Sequence, residues 1–147
     1  MDFALRPVTE ADRDWLFALQ REAYGTHVAQ TWGAWDDAAQ RARFDAAFAP
    51  ANLRIITVLG RDAGLLHVER SPHGIFLTNI ELAAEFRGRG LGTALIGSLL
   101  EEARSRGVPL SLQVLKVNLA ACRLYERHGF TVFEETATHF RMVALSA

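Results

Sequence analysis

The chain has 147 residues, half of them apolar, 10% aromatic and 22% charged, which excludes a disordered, collagenous or low-complexity polypeptide and predicts one domain, 1–147, with a substantial core. Its 16 basic and 17 acidic residues give a formal charge of −1, without the basic excess that non-specific nucleic-acid binding needs, so any phosphate ligand must be met by local placement. Cys122 is the only cysteine and no run approaches the length of a membrane span, so neither a disulfide framework, a metal site nor a membrane partner is expected.

Phe3–Arg6 reads as a short strand stopped by Pro7, and Thr9 with Asp12 three residues on reads as an N-cap with an acidic first turn. Trp15, Leu16, Leu19 and Ala23 then recur at spacings of three and four, one face of a helix that Gly25 is expected to end. Residues 26–36 carry His27, Trp32, Gly33, Trp35 and Asp36 without clear periodicity, and a second amphipathic stretch runs from Asp37 to Phe48 before Pro50. Two helices joined by an aromatic loop are expected.

Leu53–Leu59 is β-branched and apolar, Gly60–Gly64 is a turn, Leu65–Arg70 is the returning strand, and Ile75–Leu82 is a third strand after a turn at Ser71–Gly74. This antiparallel meander gives way to a long helix, Gly90–Arg106, with Leu91, Ala94, Leu95, Ser98, Leu99 and Ala103 on one face and Gly107 just past its end. Leu110–Leu115 is the next strand, Asn118–His128 a helix capped by Asn118 and ended by Gly129, and Phe130–Phe133 and His139–Leu145 are closing strands. Strand, long helix and strand make a βαβ crossover, so the fold class is α/β with a mixed sheet.

Between the third strand and the long helix lies Glu85-Phe86-Arg87-Gly88-Arg89-Gly90-Leu91-Gly92-Thr93. Glycines at every second position let backbone N–H groups converge, and a helix N-terminus adds positive potential, which together suit an anion. Arg87 and Arg89 add charge-assisted donors, so a pyrophosphate fits better than a carboxylate. The plainer alternative is a tight strand-to-helix turn with solvated arginines. A Walker loop is excluded because no Lys follows Gly92, and a dinucleotide fingerprint because Thr93 stands where its third glycine belongs.

Arg87-Gly88-Arg89-Gly90-Leu91-Gly92 resembles the acetyl-CoA loop of the GNAT superfamily of N-acetyltransferases, in the pattern Arg/Gln-x-x-Gly-x-Gly/Ala. Asn118 to Phe130, with its Asn, Ala, Tyr and Gly-Phe in order, resembles that family's later helix. The resemblance covers nearly the whole chain. It implies a mixed, mostly antiparallel sheet of about six to seven strands flanked by four helices, and direct acetyl transfer from acetyl-CoA to an amine, on a small molecule or, less favoured, a peptide. In that reading Arg87, Gly88, Arg89, Gly90, Leu91, Gly92 and Thr93 hold the pyrophosphate and Asn118 is a further cofactor contact. The main chain at Leu82 and Ala83 pairs with the pantetheine and can polarise the thioester carbonyl.

Tyr125 matches the family's acid, a phenol that stays protonated at neutral pH and donates to the leaving thiolate; its structural alternative is the aromatic edge of an amphipathic helix. Asn79 and Glu81 share one face of the third strand, with Phe76, Thr78, Ile80 and Leu82 on the other. Glu81 is the candidate base, its alternative being a solvent-facing strand residue, and Asn79 stands where related sequences often place an acid. His67, His73 and His139 are other candidates. Tyr24, His27, Trp32, Trp35 and Asp36 fall on the family's variable acceptor side, where aromatic faces and a carboxylate suit a cationic amine, although Trp32 and Trp35 could instead anchor the loop. Cys122 is a small apolar helix residue rather than a nucleophile. The other functional class compatible with these motifs is a non-catalytic acyl-CoA sensor or interaction module. The N-terminus has no basic start and long apolar run, so a cytoplasmic location is expected, and sheet edges left for pairing make a homodimer the oligomer to test for.

Overall fold

The computed structural model describes residues 2–145. A seven-stranded sheet has the order β1-β2-β3-β4-β5-β7-β6, and four α-helices accompany it. The chain forms two compact units: one holds Asp2–His67 and Ile80–Arg87, the other Val68–Asn79 and the described residues from Gly88 onward.

In the first unit β1 (Ala4–Pro7) pairs antiparallel with β2 (Leu53–Val58). Pro7 belongs to the strand instead of stopping it, pairing with Arg54. An edge strand tolerates this because one side of its backbone has no ladder to join. The Thr9–Asp12 signal holds: the Asp12 carboxylate takes the Thr9 N–H at 2.9 Å. Asp12 also receives two hydrogen bonds from Arg6, which hold its carboxyl below the usual range.

The helix α1 (Arg13–Trp32) corrects the expected stop at Gly25. Gly25 lies inside it, and the chain leaves the helix only at Gly33, where φ reaches 106° and the N–H returns to Ala29 O. A glycine ends a helix when the next turn has more to gain by leaving; here Tyr24, His27 and Thr31 continue the inward stripe, and the aromatic loop shrinks to Gly33–Asp36. The helix α2 (Asp37–Ala47) starts on Asp36, whose carboxylate accepts the Ala39 N–H at 3.1 Å. Val8, Leu16, Leu19, Leu53, Ile55 and Leu65 form the buried cluster of this unit, with Trp15, Phe44, Phe48 and Ala83 packed on it.

β3 (Arg61–Ser71) begins four residues earlier than the alternation suggests, because the turn needs only Leu59 and Gly60, both at positive φ. β4 (Gly74–Leu82) follows, then the helix α3 (Leu91–Arg106), and β5 (Leu110–Leu115) returns parallel to β4, as the crossover predicts. The parallel register covers Ile75–Leu77 against Leu110–Leu112, after which β4 runs on to Leu82 and β5 to Leu115. The helix α4 (Leu119–Arg127) and the hairpin of β6 (Thr131–Glu135) and β7 (His139–Ala144) complete the second unit. Leu91, Leu95, Ile96 and Leu99 of α3 are buried, as are Leu110 and Leu112 of β5 and Met142 of β7.

Candidate functional site

The predicted pyrophosphate loop joins β4 to α3. Phe86 is buried and fixes its entry, with the Arg61 guanidinium over the ring at 5.2 Å and paired to Glu85 at 2.8 Å. The sequence held this clue in an aromatic residue just before Arg87. Gly88 and Gly90 then adopt φ of 70° and 81°, which side-chain-bearing residues seldom take, and an added Cβ at either would meet open space. The glycines are therefore required by the turn, and the turn leaves room in front of it.

Gly90 is the N-cap of α3 and supplies no side-chain cap. α2 and α4, by contrast, begin on the carboxylate of Asp36 and the amide of Asn118. A first helical turn without such a cap, entered through two positive-φ glycines, has the arrangement of an anion site at a helix N-terminus. Gly92 faces Leu124, whose Cδ2 would lie 3.4 Å from an added Cβ, so α4 packs against the start of α3.

The next residue on α4 is Tyr125, 8% exposed and packed at 5.6 Å from the Phe130 ring. Burial, with a smaller contribution from Cys122, pushes its phenol up to about 12. The hydroxyl thus stays protonated across the whole physiological range. The unfolded chain loses this proton near pH 10 and the folded chain near 12, so stability gained by holding the neutral phenol is complete below pH 10 and lost as pH rises towards 12, on the order of 2–3 kcal/mol. Denaturant titrations between pH 9 and 11.5 should show a steeper fall for the unmodified chain than for Tyr125→Phe. Asn118 caps α4 through its side-chain oxygen on the Ala121 N–H at 3.2 Å. Burial pushes the Cys122 thiol up, and it sits 3.8 Å from Leu115 O, an inert position as expected.

In the other unit Glu81 is 3% exposed, and among the described residues it is the one charged side chain in the buried class. This corrects the alternative of a solvent-facing strand residue. The face that carries Ile75, Leu77, Asn79 and Glu81 is the more buried one, while Thr78 on the opposite face is exposed. Its backbone is crowded as well: a Cβ on Gly64 of β3 would collide with Glu81 O.

Ala83 donates its N–H to Ala63 O at 2.8 Å, so the carbonyls of Ile80 and Leu82 point to the opposite edge of β4. Two side chains take them: the Tyr24 hydroxyl donates to Ile80 O at 3.0 Å and Arg87 Nε donates to Leu82 O at 2.9 Å. Arg87 also pairs with Glu22 of α1 at 3.4 Å, so it is more than a solvated arginine.

On the expected acceptor side, Tyr24 lies beside His27 at 6.2 Å between rings. His27 Nδ1 and Thr31 Oγ1, one helical turn apart, are buried with no hydrogen-bond partner. Trp35 is an anchor: its ring is 6.3 Å from Phe17 and its N–H bonds Asp37 at 3.0 Å. Asp36 is engaged in capping, and Trp32 is 61% exposed. Among the alternative histidines, His73 sits in the β3–β4 turn with its N–H on Ser71 Oγ, and His139 contacts Thr138 Oγ1 at 2.6 Å with its pKa lowered by burial. No helix among the described residues is long and apolar enough to cross a membrane.

The acetyltransferase (GNAT) family profile matches residues 13–130, which include the loop and α4. The chain belongs to this family. It is 45% identical over 67 residues to the uncharacterized N-acetyltransferase YobR of Bacillus subtilis, covering 45% of this chain and 26% of that protein. It is 46% identical over 55 residues to the [ribosomal protein bS18]-alanine N-acetyltransferase of Salmonella typhimurium, covering 37% of each. The matched segments thus span only 26% and 37% of the length of these relatives. Among solved structures, the PaiA N-acetyltransferase of Thermoplasma acidophilum in complex with coenzyme A superposes with a TM-score of 0.76 at 15% identity, over 99% of both chains. The ribosomal-protein-S18-alanine N-acetyltransferase of Escherichia coli gives 0.63 at 22% identity, over 99% of this chain and 96% of that one. At these identities the likeness is one of fold, and the GNAT-type mixed, mostly antiparallel sheet with four helices is the fold present.

Proposed function

We propose that the protein transfers the acetyl group of acetyl-CoA directly to a primary amine on a small molecule. The observation that carries this reading is the pairing of an uncapped, glycine-led helix N-terminus with a buried, neutral Tyr125 on the helix packed against it. When bound, acetyl-CoA supplies a thioester carbon open to attack by an amine. The loop from Gly88 to Thr93, with Arg87 and Arg89, would hold the diphosphate, and Asn118 would touch the cofactor while capping its helix. Of the expected main-chain contacts at Leu82 and Ala83, the Ala83 N–H is bonded to Ala63 O and the Leu82 O to Arg87, so the Leu82 N–H is the group that would align the pantetheine arm or draw charge onto the thioester oxygen.

Glu81 would accept a proton from the incoming ammonium, which has no lone pair until it is deprotonated. As the carbon–nitrogen bond forms and the carbon–sulfur bond breaks, the nitrogen would release its second surplus proton to solvent and Tyr125 would give its proton to the departing sulfur. Solvent exchange then restores both groups. Tyr24 and His27 with Asn79 and Trp32 would line the acceptor side, while Trp35, packed on Phe17, would anchor the chain that carries them. The resemblance to an enzyme named for the alanine of a ribosomal protein supports a second reading, in which the acceptor is a peptide N-terminus.

Release of coenzyme A thiol, measured over a panel of small amines and N-terminal peptides, tests both. Stoichiometric thiol and acetamide with a small amine is expected. Turnover restricted to peptides selects the second reading, and cofactor binding without thiol release above buffer for any amine would leave only an acyl-CoA sensor.

A further inference from the structure

Arg87 is held in two different ways, and the difference assigns a role to a residue outside both sequence motifs. Its Nε is pinned at 2.9 Å to the main-chain oxygen of Leu82, a contact that fixes where the guanidinium sits relative to the end of β4. Its Nη2 faces Glu22 Oε1 at 3.4 Å, longer than a good charge-assisted hydrogen bond, and both side chains of this pair are nearly half exposed. Such a pair contributes little and exchanges readily. The end-on fork of a guanidinium suits a carboxylate and a phosphate equally well, since both present two oxygens on one atom.

We propose that Glu22 is a positioning residue that occupies the Arg87 fork in the cofactor-free protein and yields it to the diphosphate of coenzyme A. This rests on the acetyl-CoA reading above. Glu22 acts through Arg87 and touches no reacting atom. Leu82 O keeps the guanidinium in place while the anion on its fork is exchanged. Tyr24, two residues along α1, keeps the helix fastened to Ile80 O throughout, so release of Glu22 does not free the helix. The neighbouring cation Arg21 does not compete for Glu22, being paired with Asp37 at 3.0 Å.

Exchange makes Glu22 a competitor of the diphosphate. Calorimetric titration of coenzyme A into Glu22→Gln should therefore give binding about two- to five-fold tighter than the unmodified chain, the range of a surface ion pair. Arg87→Gln should weaken binding, and adding Glu22→Gln to it should then have no further effect. Glu85→Gln removes the same charge two residues from Arg87, but its carboxylate belongs to Arg61, so it controls for a general loss of negative charge. Unchanged or weaker binding by Glu22→Gln overturns the exchange, as does equal tightening in Glu85→Gln or persistence of the effect without Arg87. If the unmodified chain binds no coenzyme A, the acetyl-CoA reading falls and the exchange with it; if it binds and Glu22→Gln is neutral, only the exchange falls.

Discussion

Tyr125→Phe is expected to lower kcat by about 10²- to 10⁴-fold, the usual contribution of a positioned proton donor, while the affinity for coenzyme A stays within about two-fold. The two effects separate because the phenyl ring fills the same buried space beside Phe130 and only the hydroxyl is lost. A phenol held near 12 is a weaker acid than an exposed thiol near 8.5, so it protonates the departing sulfur only because burial raises the thiolate's basicity as it does the phenol's. A buried thiolate without a donor is a poor leaving group, so the loss should appear in the chemical step. It should not be restored by raising the amine concentration. Because the hydroxyl keeps its proton to about pH 12, any decline in rate between pH 8 and 10 belongs to another group. A Phe variant with unchanged kcat would return Tyr125 to a packing role.

Gly64→Ala is expected to have the largest effect on stability, although Gly64 lies in no motif. The methyl group would collide with Glu81 O and crowd the Leu82 side chain, so β3 or β4 must shift to admit it. Overpacking of this kind costs roughly 1–3 kcal/mol and more where backbone is the obstacle, which for a chain of this length lowers Tm by about 5–10 °C. Activity should fall further than stability accounts for, since the displaced backbone is that of the candidate base. Thermal unfolding with activity measured well below the transition checks both. An unchanged Tm would mean that the two strands are less tightly apposed at this point than the structure has them.

The order of elements was readable because periodicity changes character along the chain: alternation from Leu53 to Leu82, helical spacing from Leu91 to Ala103, then alternation again at Leu110–Leu115. The loop and α4 were readable because their residues are constrained by backbone conformation, by capping and by the resemblance they carry. Gly25 misled because glycine is only permissive of an exit; whether the helix goes on is decided by packing, which local spacing does not contain. Alternation separated Asn79 and Glu81 from Ile80 and Leu82 but did not say which face is inside, and the ordinary preference for apolar residues favoured the wrong one. The roles of Glu22 and Gly64 arise from contacts between segments distant in sequence, Glu22 with Arg87 and Gly64 with Glu81, and no pattern local to either residue encodes them.

Whether the loop amides grip the diphosphate can be read from amide chemical shifts followed by NMR during titration with coenzyme A. The N–H resonances of Gly88, Gly90, Gly92 and Thr93 are expected to move furthest and saturate together, with the Tyr125 ring responding at the same concentrations. Saturable shifts confined to other parts of the chain, with these four amides unmoved, would contradict that grip.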